Sequence, residues 1–279
     1  LQIEAKFHAT SLGEHDSFAG MQKPRAIYPY LSPALPRIFA HRGFAAAPGL
    51  IENTIPAFRA AIDLGATHIE SDIQVTKDGV PVLFHDDDLI RVAALPQKIS
   101  EITSSDLAKL DLGDGVRVPT LREALRELPE ARFNLDLKVY EAIAPAVLVI
   151  AELEARDRVL IASFSDSRRA KALSALGGRV ASSAGGWRVL ALWLAAKFRL
   201  RPLTEILAAP VQALQIPRRQ GPIRLDSPAF IRQMLATGLE LHYWTINEPD
   251  EMTDLIALGA HGVVTDRTDL AVNTLRKAR

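Results

Sequence analysis

No cysteine occurs among the 279 residues, which removes disulfides, thiolate metal sites and cysteine nucleophiles from consideration. That is compatible with a reducing cytoplasm, the expected location. An excess of either charge is also missing. The 33 basic and 33 acidic side chains cancel, so no overall field gathers nucleic acid or a strongly anionic surface, although a local patch can still hold phosphate. No apolar run reaches the roughly 20 residues that a membrane span takes. The first twenty residues lack the apolar stretch of a secretion signal. Residues 1–36 are therefore expected to form an N-terminal extension, with the part before Met21 an appended or trimmed piece. Pro24, Pro29, Pro33 and Pro36 exclude a helix or a central strand there.

What is present is a regular alternation of short apolar runs and helical patterns. At 48% hydrophobic residues the chain can bury one large core, and about 250 residues is a typical length for a single βα barrel. Arg37 to Ala40 reads as a buried strand that stops at His41-Arg42-Gly43. Asn53 or Thr54 can cap a helix whose apolar positions recur from Ala57 to Leu64, until Gly65 ends it. From His68 to Val75 the period of two places Glu70, Asp72 and Gln74 on one strand face. Lys77-Asp78-Gly79 is a turn signal, and a strand from Val80 to Phe84 ends at His85, roughly opposite Glu70 if the two strands form a hairpin.

Residues 89–119 carry no long periodic segment and read as an insertion over the site, with one short helix at 105–110. Thr120 caps the next helix. Phe133 to Lys138 alternates strictly and places Asn134, Asp136 and Lys138 on one face. Strands follow at 159–163, near Val180, and at 211–216, 239–245 and 262–265, with helices at 143–153, 166–176, 228–236 and 249–258 between them. The pattern predicts an α/β fold, a TIM (β/α)8 barrel formed by residues 37–273 as a single domain, with a small insertion after the third strand. Nine strand candidates compete for eight staves, so one of the 68–85 pair is expected to lie outside the barrel wall.

Several residues at the strand ends carry chemistry. A lone strand-end histidine is more often structural than catalytic, but His41 and His85 flank an arginine and a carboxylate pair, and imidazoles titrate where one can take a proton while the other gives one. A solvated strand face is the plain reading of Glu70 and Asp72. Barrel staves bury both faces, however, and neighbouring buried carboxylates repel unless a cation lies between them. With Asp136 they make three hard oxygen donors, suited to Mg2+ or Ca2+. The guanidinium of Arg42 matches phosphate oxygens, as does Lys138, for which an ion pair with Asp136 is the competing account. Trp244, at a strand end, is either a wall of the site or a core aromatic. Residues 187–201 are rich in Leu, Ala and Trp and bounded by cations. An outer or lid helix is the favoured reading there, and transient membrane-surface contact the second.

Read together, His41-Arg42-Gly43, Glu52-Asn53-Thr54, Glu70-Ser71-Asp72, Thr76-Lys77-Asp78-Gly79 and His85-Asp86 resemble the glycerophosphodiester phosphodiesterases. Pro119-Thr120-Leu121, Asp136-Leu137-Lys138, Ser163-Phe164, Trp244-Thr245-Ile246-Asn247 and Thr265-Asp266 continue the likeness in the same order. The resemblance implies a TIM barrel that hydrolyses a small-molecule glycerophosphodiester to glycerol 3-phosphate and an alcohol with a divalent cation. It implies His41 and His85 as acid and base, Arg42 as the catalytic arginine, and Glu70, Asp72 and a third carboxylate as metal ligands. The family commonly has a glutamate at the third carboxylate, and Asp136 is one methylene shorter. Where the family shows a polar turn after Arg91, Val92 to Pro96 is apolar. Two alternatives stand beside this reading: a phospholipase D-like hydrolase of lysophospholipids, contacted by residues 190–200 and the apolar insertion, and a barrel that binds phosphodiesters without cleaving them.

Overall fold

The computed structural model describes residues 28–178 and 180–276, so the expectation for the first twenty residues lies outside the described residues. Eight parallel strands make the wall: β1 (Arg37–His41), β2 (His68–Val75), β3 (Phe133–Leu137), β4 (Val159–Ala162), β5 (Ala181–Ser182), β6 (Ala213–Ile216), β7 (Glu240–Tyr243) and β8 (Gly262–Thr265). β1 lies between β2 and β8, and the remaining neighbours follow chain order. Closure comes at β5 and β6, where a parallel bridge joins Ser183 to Ala213 and Ala184 N–H donates to the Ala213 carbonyl at 3.0 Å. The wall is therefore the expected TIM barrel.

The ninth strand candidate is the hairpin arm Pro81–Leu83, which runs antiparallel to the second half of β2, pairing Ile73 with Leu83 and Val75 with Pro81. β2 is eight residues long, buried throughout, and its last residues leave the wall to make this arm. The helix at Ile55–Leu64 ends at Gly65 in the left-handed region, and Leu121–Glu127 opens with a reciprocal capping box between Thr120 and Glu123.

Two apolar layers lie between the wall and its helices, one around Phe58, Phe133 and Ile150 and the other around Leu214, Ile231 and Leu255. Inside the barrel a smaller cluster centres on Phe39, whose ring lies 4.6 Å from that of His68 and 4.5 Å from that of His242. Tyr30, on a short turn at Pro29–Leu31, fills the N-terminal end of the barrel, and its carbonyl lies 3.0 Å from His68 Nε2. The residues from 89 to 119 fold into a helical turn at Ile90–Ala93 and a helix at Ser104–Leu107, around a separate cluster of Leu89, Ile99 and Leu107. The 187–201 stretch forms the helix Gly186–Lys197, and a second helix, Arg201–Ala208, folds back beside it. Arg188 Nη1 donates to the Leu207 carbonyl at 2.7 Å and fastens the pair.

Candidate active site

All the sequence-selected side chains meet at the C-terminal ends of the strands, the face on which TIM-barrel enzymes build their sites. A cavity of about 510 Å³ opens there, lined by His41, Arg42, Glu70, Asp72, His85, Asp136, Lys138 and Trp244 among others. β1 ends at His41 and the chain turns sharply, with Arg42 at φ +56° and Gly43 at +83°. A Cβ at Gly43 would lie 2.9 Å from the Ala57 carbonyl carbon, so only glycine lets the turn press against its helix.

Each histidine is held by a carboxylate. His41 Nδ1 lies 2.6 Å from Asp266 Oδ1, and His85 Nδ1 lies 2.6 Å from Asp86 Oδ1. Each carboxylate is itself fixed: Asp266 accepts from Asn247 Nδ2 at 2.9 Å, and Asp86 accepts from Arg91 Nε at 2.6 Å. Burial opposes charge on His41, but the Asp266 hydrogen bond and the nearby Glu70 carboxylate outweigh it and raise the pKa. His41 Nε2 lies 3.9 Å from Glu70 Oε2.

The carboxylates form the other half. Glu70, Asp72 and Asp136 are 8%, 2% and 7% exposed, and burial together with the charge of Asp72 pushes Glu70 far above the usual carboxylate range. Burial raises Asp136 as well. Lys138 Nζ stands 2.8 Å from Asp72 Oδ1 and 2.9 Å from Asp136 Oδ2, which is the ion-pair account of that lysine. Arg42 Nη1 donates to Glu52 Oε1 at 3.1 Å, and its Nε lies 3.5 Å from Asp72 Oδ2. Glu52 also takes a fork of two bonds from Arg91 at 2.6 and 3.0 Å.

A divalent cation fits this donor set. Three buried carboxylates face one ammonium, and among the described residues Asp136 Oδ1 and Asn134 Oδ1 are buried with no hydrogen-bond partner. No group of three or more His, Asp or Glu side chains among the described residues is already spaced as a finished cage.

One sequence expectation is corrected by the structure. Residues 89–119 were expected to lie over the site, yet none of them lines the cavity, because Val92, Ala93 and Leu95 pack onto the insertion's own cluster. The apolar wall comes instead from Phe164 in the loop after β4, Leu190 and Trp193 on the helix Gly186–Lys197, and Ile223 and Leu225 at a small hairpin at 219–224. The orienting roles of Asp266 and Asp86 escaped the sequence reading. His85-Asp86 adjacency was the available signal for one, and the position of Asp266 directly after the last strand, which closes onto β1, for the other.

The sequence profile described as the Glycerophosphoryl diester phosphodiesterase family matches residues 41–270. The chain belongs to this family. A probable glycerophosphodiester phosphodiesterase 2 of Mycobacterium tuberculosis is 40% identical over 237 residues, covering 85% of this chain and 89% of the relative. A lysophospholipase D of Rattus norvegicus is 25% identical over 83% of each chain. Among solved structures, an Oleispira antarctica phosphodiesterase in complex with the product sn-glycerol-3-phosphate superposes with a TM-score of 0.69 at 25% identity, covering 86% of this chain and 96% of that one. Family membership makes the chain a phosphoric diester hydrolase with glycerophosphodiester phosphodiesterase activity, built as a TIM barrel. No helix among the described residues is long and apolar enough to cross a membrane.

Proposed function

We propose that this chain hydrolyses glycerophosphodiesters to glycerol 3-phosphate and an alcohol in a cation-dependent reaction, with His41 and His85 moving the protons. One observation carries the reading: both imidazoles line the same cavity, and each has its Nδ1 on a carboxylate. A carboxylate at Nδ1 fixes the tautomer and leaves Nε2 for the reactants. One Nε2 takes the proton of the nucleophile, either water or the neighbouring glycerol hydroxyl by way of a cyclic phosphate. The other protonates the leaving alkoxide oxygen. Phosphate oxygens are offered Arg42 and Lys138, whose charges offset that developing in the transition state. Glu70, Asp72 and Asp136 would hold Mg2+ or Ca2+, which supplies Lewis acidity toward a phosphoryl oxygen when bound. Trp244 would wall the cavity, where it stands edge-on to Phe164 with ring centroids 6.0 Å apart.

The test is release of glycerol 3-phosphate from glycerophosphocholine by the purified protein, with and without chelator. Product release that stops on chelation and returns with added cation is the expected result. Binding of substrate with no release would make this the non-catalytic barrel, and activity indifferent to chelator would remove the cation. The apolar wall at Leu190, Trp193, Ile223 and Leu225 favours a second reading, cleavage of lysophospholipids. Lysophosphatidylcholine offered beside glycerophosphocholine decides between the two.

A further inference from the structure

The face of the helix Gly186–Lys197 turned away from the cavity has no role in the chemistry above. Trp187, Ala191, Leu194 and Phe198 recur at intervals of four, three and four, which sets them in one stripe along a helix. Trp187 is 79% exposed and Phe198 65% exposed. On the antiparallel neighbour Arg201–Ala208, Leu203 and Ile206 are exposed in the same way, Ile206 to 68%. Single exposed apolar residues are ordinary, but a run of this size on one helix pair is not.

Charge selects the occupant. From Gly186 to Ala208 the chain carries four cations, Arg188, Lys197, Arg199 and Arg201, against one carboxylate, Glu205, although the whole sequence is neutral. Arg188 is tied to Asp166 and Leu207, whereas the other three sit at the tip of the pair. All seven residues from Lys197 to Leu203 are exposed, so basic and apolar side chains alternate along one protruding turn. Lys197 Nζ lies 5.0 Å above the Trp193 ring, leaving the ammonium at the rim where Trp193 enters the cavity wall. Apolar groups that can sink into an acyl layer, flanked by cations that reach back to headgroups, match an anionic lipid surface better than a neutral protein face.

We propose that the helix pair 186–208 docks the enzyme reversibly on anionic membrane surfaces, with the tip 197–203 as its point of insertion. The cavity mouth, bordered by Leu190 and Trp193 on the same helix, would then open at the lipid boundary. The docking is independent of which phosphodiester is cut.

Co-sedimentation of the full chain with vesicles tests this, using equal parts phosphatidylcholine and phosphatidylglycerol against phosphatidylcholine alone. The wild type should partition onto the mixed vesicles and release in high salt. Arg199→Glu with Arg201→Glu should weaken that partitioning by at least ~10-fold, and Phe198→Ser with Ile206→Ser should weaken it even at low salt. Thermal melts and glycerophosphocholine turnover, both unchanged in these variants, show that fold and site are intact. Wild type that stays in the supernatant, or variants that sediment like wild type, would overturn the proposal. So would a wild-type dimer that Phe198→Ser dissociates, since the face would then belong to a second copy.

Discussion

His41 Nδ1 lies 2.6 Å from Asp266 Oδ1, and these two residues stand at the ends of adjacent first and last strands. Asn247 holds Asp266 from two sides, donating from Nδ2 to Oδ2 and accepting the Asp266 N–H at Oδ1, each at 2.9 Å. In the proposed mechanism Asp266 is a positioning residue that sets the His41 tautomer. Asp266→Asn should lower kcat by at least ~10²-fold while changing KM little. The same change removes one of the interactions that raise the His41 pKa, so the His41 break in the pH–rate profile should move to lower pH. A variant with wild-type kcat and profile would remove Asp266 from the machinery.

Lys138 stands between Asp72 and Asp136 and compensates part of their charge. In Lys138→Met two buried carboxylates lose their shared cation, and the metal-free protein should be destabilised by about 2 kcal/mol. Added Mg2+ or Ca2+ should raise the melting temperature of this variant more than that of wild type. Equal increments would separate the lysine from the cation site. Asp136→Glu, which restores the missing methylene, should change cation affinity as measured by calorimetry.

The strand-borne half of the site was readable from sequence because alternation is a local property. Glu70 with Asp72 and Asp136 with Lys138 are two apart, and two residues apart on a stave means one direction. The 68–85 hairpin was readable for a similar reason, since ten residues cannot hold a helical crossover. Asp266 was not, because its partner is 225 residues away and only closure of the barrel makes them neighbours. The helix Arg201–Ala208 was missed as well; Pro202 falls in its first turn, where a proline is tolerated but reads as a break. The insertion misled because apolar sequence says that a segment is buried, not what it is buried against. Val92 and Leu95 found partners within their own segment.

Arg91 links both halves of the site while standing half exposed outside the cavity. It binds Asp86, which holds His85, and Glu52, which holds Arg42. Arg91→Ala should cost less than about 1 kcal/mol in stability, as exposed pairs do. Turnover should nevertheless fall on the order of tenfold, because both side chains lose their supports. Arg91→Lys, which keeps charge but not the fork, should recover only part of it. Unchanged turnover in the alanine variant would mean that Asp86 and Glu52 hold their partners unaided.

Three histidines remote from the reaction, His68, His242 and His261, are held by burial below the ordinary imidazole range. His68 is enclosed by Phe39 and Tyr30, and burial pushes it down to about 3. His261 accepts the Leu241 N–H at Nδ1, a bond only the neutral ring can make, and burial lowers it to about 4. Both folded values lie below the ordinary 6.5, so between that value and about 4 the unfolded chain binds protons that the folded chain does not. The stability contribution is therefore complete above pH 6.5 and declines as pH falls. At pH 5.5 each of these two sits one unit below its unfolded value, a loss of about 1.4 kcal/mol apiece. Glu70 and His41, whose folded values are raised, take up protons in the folded chain over the same range and oppose this loss, so the histidine share is read as the difference between wild type and variant in denaturant midpoints at constant ionic strength between pH 7 and 5. His261→Asn should remove about 2 kcal/mol of the loss between pH 7 and 5, whatever it does to stability at pH 7. A pH dependence equal to that of wild type would take this residue out of the acid response.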